Sequence, residues 1–312
     1  MRQILFMIIF MILSVPAYHL LLWGMAKYDV YHAHYMEYQE RKAERATPID
    51  NKFVEYMNVL VVGVDSGGMG MNPRADAIVL VSLDQSTGRL RTMSIPRGTL
   101  VTTNDGEQKQ LKMVYESGGI KDTVVAVREL LGITVHQYVV LDSAALAELI
   151  DTLGGVDIYV ETKMDYEDPE AGLYIHLPQG YQHMDGETAA KYLRYRSGDL
   201  GDIGRVQRQH RFVSAVYGRV LNVDTIAKLP DLVTLLQTRV NTSVEVWDSA
   251  ELAKVLKTLS AEEPEAMMLP GQPMAGDETA WLPDKDKINE KISELFPKAE
   301  EMADEGADES SK

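Results

Sequence analysis

From Asn58 onward, short apolar runs alternate with stretches of helical period, which is the pattern of an α/β domain. The run Val59-Leu60-Val61-Val62-Gly63-Val64 predicts a strand over 58–64, and further strands follow at 77–83 and 89–95. The last two are joined by Asp84-Gln85-Ser86-Thr87-Gly88, a short hairpin loop containing glycine. A helix near 121–131 stops at Gly132, and a strand at 135–141 leads into a helix that Asp142 or Ser143 can cap and Gly154-Gly155 ends. A strand at 156–160 is followed by a loop region marked by Pro and Gly around 165–183. Asp185 can cap a helix over 186–195, and another runs over about 204–221. Residues 224–259 read as helical, with short apolar segments at 267–269 and 280–282. No internal repeat or sustained heptad pattern is present.

The N-terminus has a different pattern. Ile4 to Met25 is nearly all apolar and follows Arg2; as a helix it would rise about 33 Å, enough to cross a bilayer. The stretch is long for a signal-peptide core and no small-x-small site follows it, which favours an uncleaved anchor over 1–26 with the short N-terminus cytoplasmic and the remainder outside. Residues 27–52 then read as a juxtamembrane stalk. Tyr28, Tyr31, Tyr35 and Tyr38 share one face of it. That stripe is a candidate homodimer seam, but it is too short to define one, and a helix lying on the membrane or on its own domain explains it as well. The main domain is expected over 53–296, and the last sixteen residues, with six acids and two lysines, read as a solvated acidic tail over 297–312.

Composition narrows the function classes. A formal charge of −16 over 312 residues argues against a nucleic-acid partner. The absence of cysteine removes disulfides, thiol catalysis and Cys-ligated zinc. No Gly-Lys-Ser/Thr phosphate loop, His-Glu-x-x-His or Gly-x-Ser-x-Gly occurs; His32-x-His34 could pair on a metal but lies in the stalk, where such a pair is more often incidental, and the remaining histidines form no recognisable ligand spacing.

What remains is a set of carboxylates and arginines that the topology gathers. Asp65 closes the first strand, Arg74 and Asp76 open the second, and Arg97 follows the third. A hairpin brings the start of its first strand and the end of its second to one edge, so Asp76 and Arg97 should be neighbours. If the first strand pairs antiparallel with the second, Asp65 and Arg74 join them. Aspartates commonly end strands, so the pair alone is weak evidence; two acids do suit Mg²⁺ or Mn²⁺, hard cations that combine one or two carboxylates with substrate phosphate oxygens. A second cluster comprises Arg194, Arg196, Asp202, Arg205, Arg208 and Gln209. Arg205, Arg208 and Gln209 stand at i, i+3 and i+4 on one helix face. Arginine forks bind phosphate bidentately at any working pH, while the bland alternative is a solvated basic face paired with nearby acids.

The order of these blocks resembles the LytR-CpsA-Psr family. The resemblance rests on Val62-Gly63-Val64-Asp65-Ser66, Arg74-Ala75-Asp76, Ser94-Ile95-Pro96-Arg97 and Tyr115-Glu116-Ser117-Gly118-Gly119. It continues in Leu153-Gly154-Gly155-Val156, His183-Met184-Asp185-Gly186-Glu187-Thr188-Ala189, Arg194-Tyr195-Arg196 and Gly201-Asp202-Ile203-Gly204-Arg205-Val206-Gln207-Arg208-Gln209. It covers about 58–215, more than half of the chain.

The resemblance implies a central mixed or antiparallel sheet with helices on both sides, and a long apolar pocket for a lipid. It implies a membrane-anchored phosphotransferase that moves a glycopolymer, such as teichoic acid or capsule, from a polyprenyl-pyrophosphate carrier to a peptidoglycan hydroxyl. Carried over motif by motif, Asp65 and Asp76 fall on the magnesium-site acids. Arg74, Arg97, Arg196, Arg205 and Gln209 fall on pyrophosphate-binding positions, with Arg194, Asp202 and Arg208 in the same motifs. Asp65 or Asp202 would take the acceptor proton. The chain departs from the family pattern at Gly98, where Asp is usual, at Ala75 and Ala77 in the Arg-Ser-Asp-Thr block, and at Lys112, where Asn is common. Alternative readings are a pyrophosphatase using the same site with water, a non-catalytic wall-binding module, and a transcriptional attenuator.

Overall fold

The computed structural model describes residues 22–29, 32–33, 36, 56–65, 73–103, 106–169, 172–195, 201–244, 246 and 248–295. The chain divides into two compact units, Met1–Ile49 and Asp50–Lys312. In the first, residues 22–29 are helical. The expected location, a single-pass anchor with the domain outside the membrane, is corrected: among the described residues no helix is long and apolar enough to cross a membrane. The rest of the expected anchor at 4–21, the stalk tyrosines Tyr31, Tyr35 and Tyr38, and the acidic tail at 297–312 lie outside the described residues.

The second unit begins with β1 (Tyr56–Asp65), β2 (Arg74–Asp84) and β3 (Leu90–Ser94), then a small ribbon of β4 (Leu100–Thr102) and β5 (Gln108–Gln110). Helix α1 (Leu111–Leu131) leads to β6 (Gln137–Asp142) and α2 (Ser143–Leu153). Four short strands follow: β7 (Val156–Val160), β8 (Met164–Asp168), β9 (Leu173–Leu177) and β10 (Gly180–Met184). Then come α3 (Gly186–Arg194), α4 (Gly201–Val220), a 3₁₀ turn (Val223–Lys228), α5 (Leu229–Thr238), β11 (Asn241–Thr242) and α6 (Ser249–Thr258). The unit closes with β12 (Glu265–Met268), β13 (Gly271–Met274), β14 (Asp277–Pro283) and α7 (Lys285–Leu295).

The main sheet has the order β11-β6-β1-β2-β3-β12. It is mixed: β1-β2 and β2-β3 pair antiparallel, while β6 runs parallel to β1 and β12 parallel to β3. Leu60, Val62, Ile78 and Leu80 alternate onto one face and bury against Leu111, Val114, Val127 and Leu131 of α1 and Ile288, Ile292 and Leu295 of α7. Each such side chain contributes about 1.5–3 kcal/mol when fully buried. On the opposite face α2 packs against β1 and β6, and α4 against β3 and β12. A second core unites β7, β9, β10, α3 and Phe212 of α4 around the fully buried Tyr192.

Three elements differ from the sequence expectation. The helix placed at 121–131 starts at Leu111, because Leu111, Val114 and Tyr115 bury in the sheet core; the chain kinks at Gly119, where φ is 66° and ψ −157°. The expected loop at 165–183 contains strands, since Ile175 and Leu177 alternate into the second core behind Pro169, Gly172 and Gly180. The expected helix over 224–259 breaks after Thr238, where Asn241–Thr242 joins the sheet edge and Asp248 caps a new helix by accepting from the backbone N–H of Ala250 and Glu251.

Candidate active site

The site forms at one end of β1 and β2. Asp65 and Arg74 are register partners there, both exposed. Gly63 opposes Ala77 and Val64 opposes Ala75, so Asp76 is the extra residue of a β-bulge. A bulge re-aims the side chain it carries. Gly63 permits the close pairing, since a Cβ there would lie 3.2 Å from Ala77 Cβ.

Arg97 arrives from β3. The Ile95 N–H still bonds Ile78 at 2.8 Å, then Pro96 ends the ladder and its carbonyl accepts from the N–H and hydroxyl of Thr99 at 2.9 and 2.7 Å. The Arg97 carbonyl accepts from the Lys112 N–H at 2.9 Å, and the Gly98 carbonyl accepts from the Trp281 N–H of β14 at 2.9 Å. With its backbone anchored on both sides, Arg97 donates from Nη1 to Asp76 Oδ1. The departures at 98 and 112 thus have structural readings. Lys112 holds Arg97 through its backbone, whatever its side chain, and at Gly98 a Cβ would sit 1.9 Å from the Thr279 carbonyl oxygen. Neither Trp281 nor Thr279 was legible as a neighbour, being marked only by a short apolar segment far along the chain.

Helix α4 supplies Arg205. Its side chain is 10% exposed, donates to the Asp76 carbonyl oxygen, and lies 3.5 Å from Asp76 Oδ1. His210 pins the same helix to the sheet through Nε2 and Ser94 Oγ at 2.8 Å; burial pulls its pKa down, partly offset by a backbone hydrogen bond with Met267. Gln209, half buried, has no side-chain partner among the described residues.

Helix α3 supplies Arg194. Asp185 caps its start, accepting from the Thr188 N–H at 2.8 Å, and the hydrogen bonds with Thr188 hold the Asp185 carboxyl below its ordinary pKa. The Gly186 N–H donates to Asp151 Oδ1 at 2.7 Å, and a Cβ at Gly186 would lie 2.1 Å from the Ala147 carbonyl oxygen, so α3 starts in close contact with α2. At the other end Arg194 Nη2 reaches Asp65 Oδ1 at 3.2 Å.

The fold therefore gathers Asp65, Arg74, Asp76, Arg97, Arg194 and Arg205. Each acid is held by arginine: Asp65 by Arg194, Asp76 by Arg97 and Arg205. Arg208 turns elsewhere, into a buried position against Tyr195. Arg196 lies outside the described residues, and Asp202 is in the first turn of α4 with its side chain outside them. Among the described residues no cluster of three or more His, Cys, Asp or Glu side chains forms a protein cage for a metal. Two carboxylates would suit a hard cation only if substrate oxygens completed its shell.

Comparison with known proteins bears on the fold and the family. The chain is 27% identical over 220 residues to the polyisoprenyl-teichoic acid–peptidoglycan teichoic acid transferase TagV of Bacillus subtilis, covering 69% of this chain and 56% of that protein. It is 26% identical over 231 residues to the polyisoprenyl-teichoic acid–peptidoglycan teichoic acid transferase TagU of Bacillus cereus, covering 73% of each. The crystal structure of B. subtilis TagV superposes with a TM-score of 0.67 at 24% identity, over 78% of this chain and 97% of that one. TagT bound to LIIa-WTA superposes at 0.63 and 23% identity, over 80% and 92%; these likenesses establish the mixed-sheet α/β fold. With the LytR_cpsA_psr family model matching residues 25–296, the chain belongs to that family.

Proposed function

We propose that this protein transfers an anionic glycopolymer from a polyprenyl-pyrophosphate carrier to a hydroxyl of peptidoglycan. The observation that carries the reading is the charge arrangement at the β1–β2 end: arginines from β3, α3 and α4 converge on two aspartates in a chain of formal charge −16. Arginines held by carboxylates at rest are ready to exchange them for phosphate oxygens. The related teichoic acid transferases TagV and TagU support the choice of polymer class and acceptor.

In this mechanism Arg97 and Arg205, with Arg74, Arg194 and Arg196, bind the pyrophosphate and neutralise charge on its bridging and leaving oxygens, and Gln209 donates its amide. Asp65 and Asp76 would hold Mg²⁺ or Mn²⁺, which when bound supplies further charge neutralisation at the phosphates. The acceptor hydroxyl oxygen forms a bond to the sugar-side phosphorus, the bridging P–O bond breaks, and polyprenyl phosphate leaves. Asp65 or Asp202 takes the hydroxyl proton. The prenyl chain would lie along the apolar sheet face opposite α1, between the sheet and the helices that cover it. There Val61, Val79 and Val139 form one cross-strand row, and Gly63 and Ala77 bring it to Asp76.

The test incubates the full chain with a short pyrophosphate-linked lipid glycan and peptidoglycan fragments, with and without Mg²⁺, and follows products by mass spectrometry. The expected result is Mg²⁺-dependent release of polyprenyl phosphate with glycan joined to the wall fragment. Release without joining would move the assignment to a pyrophosphatase. No release from folded protein with several donors would replace catalysis by wall binding.

A further inference from the structure

Arg208 is the most buried arginine near the site, at 4% exposure, yet among the described residues it has no ion-pair partner. Burying an unpaired guanidinium is costly, so its remaining contacts must explain it. Two are present. Nη2 donates to the Tyr195 carbonyl oxygen, and Cζ lies over the Tyr195 ring, 5.4 Å from its centroid. Nε is buried and has no hydrogen-bond partner among the described residues. Burial lowers the Arg208 pKa from its ordinary value, with Tyr192, Tyr195 and Glu161 acting the other way and neighbouring Arg211 adding to the fall.

Tyr195 is where α3 ends. Its N–H still bonds the Lys191 carbonyl at 3.1 Å, but its backbone, at φ −58° and ψ 133°, has left the helix. Its carbonyl is therefore an orphan acceptor, and Arg208 satisfies it from α4. The preceding residue is Arg194, which reaches Asp65 at 3.2 Å. Lysine would not reproduce the contact, because one flat group must both lie over a ring and donate to a carbonyl at its edge.

We infer that Arg208 is a positioning residue rather than a phosphate ligand: it fixes the end of α3 from α4 and so aims Arg194 at Asp65 and at the pyrophosphate that replaces it. The inference rests on the proposed pyrophosphate site and assigns Arg208 a different role from Arg205 one turn away on the same helix. Arg208 acts only through Arg194, so the two are coupled.

A double-mutant cycle on the full chain tests this, with farnesyl pyrophosphate as the probe and affinity measured by calorimetry. Arg194→Met and Arg208→Met are each expected to weaken binding by about 10- to 100-fold. In the Arg194→Met background, Arg208→Met is expected to cost less than about twofold more. Losses that simply multiply would overturn the inference, because both an independent phosphate contact and general loosening of the fold predict them. Arg208→Lys keeps the charge and guards against misfolding of the methionine variant. It is expected to bind as weakly as Arg208→Met, and restored affinity would overturn the inference in favour of a direct charge contact. In the ligand-free protein, hydrogen exchange should accelerate at 192–195 in either Arg208 variant and stay unchanged in β7 and β10; no acceleration would also overturn it. Wild type that is folded but does not bind the probe would refute the pyrophosphate site itself, and this inference with it, whereas binding with multiplicative losses refutes the inference alone.

Discussion

Gly98→Ala isolates one packing contact. Gly98 does not adopt a positive φ, so alanine meets no backbone penalty at that position. The obstacle is β14: the new Cβ would lie 1.9 Å from the Thr279 carbonyl oxygen and 3.0 Å from its carbon. Both are backbone atoms, which cannot rotate away as the end of a long side chain would. Relief requires moving the strand or the turn by more than 1 Å, and overpacking of this kind costs about 1–3 kcal/mol. The same movement stretches the Trp281 N–H to Gly98 bond, now 2.9 Å, worth about 1 kcal/mol. The sum is about 2–4 kcal/mol, or about 4–16 °C in melting midpoint for a domain of this size. Gly218→Ala is the control, since beyond its own helix backbone nothing among the described residues lies within 4 Å of a Cβ there and its helical position should gain about 0.5–1 kcal/mol. Differential scanning calorimetry of both variants decides the matter. A Gly98→Ala midpoint within about 2 °C of wild type would show that β14 does not lie on Gly98. If the turn yields rather than the strand, Arg97 shifts from Asp76 and turnover falls together with the midpoint.

Further expectations concern the charged groups. Asp76→Ala, Arg97→Ala and Arg205→Ala should each lower turnover by at least about 10²-fold in the mass-spectrometric assay, as loss of a charged transition-state contact does; near-normal turnover in one removes that residue from the mechanism. Arginines compensate both acids at rest, so pyrophosphate and metal should bind cooperatively. Mn²⁺ affinity, read from the free-ion resonance signal, should rise at least about tenfold with farnesyl pyrophosphate present, and equal affinities would refute the exchange of partners. His136 and His210 are both held below their ordinary pKa chiefly by burial. The folded state thus binds fewer protons than the unfolded chain, so stability is full at neutral pH and declines as pH falls below about 6.5 toward the folded values. Urea midpoints at pH 7.5 and 5 should show that decline, and a His136→Gln, His210→Gln double variant should show less of it.

The neighbourhood of Asp76 and Arg97 was legible because a hairpin fixes which strand ends meet, whatever the side chains do; that of Asp65 and Arg74 rested on the condition that β1 pairs antiparallel with β2, which the sheet meets. The aim of Asp76 was not, since it depends on a bulge that inserts one residue between Gly63 and Val64 on the partner strand, and no residue type marks that shift. Helical spacing correctly put Arg205 and Arg208 near one another but could not tell them apart. Arg205 faces the sheet end and Arg208 faces the end of α3, a difference set by two neighbours that approach from different directions. The start of α1 was not legible, because its first turns are carried by Leu111, Val114 and Tyr115 burying in the sheet core ahead of the kink at Gly119.

Position 98 shows why departure from a family pattern does not by itself predict loss of function. Taken alone, the absence of a carboxylate after Arg97 removes a plausible partner for that guanidinium. In the fold the guanidinium already has Asp76, and its backbone is anchored by the N–H groups of Lys112 and, one residue on, Trp281. The space where a side chain would project from 98 is taken by β14, an element nearly two hundred residues away in sequence. Restoring the usual residue, Gly98→Asp, should therefore harm this protein: it brings the same clash as alanine and adds a carboxylate against a backbone carbonyl. Its melting midpoint is expected below that of Gly98→Ala, and its turnover below both. A Gly98→Asp variant as stable as wild type and more active would mean that Arg97 lacks the anchoring described, and that the pyrophosphate site is incomplete without a carboxylate at that position.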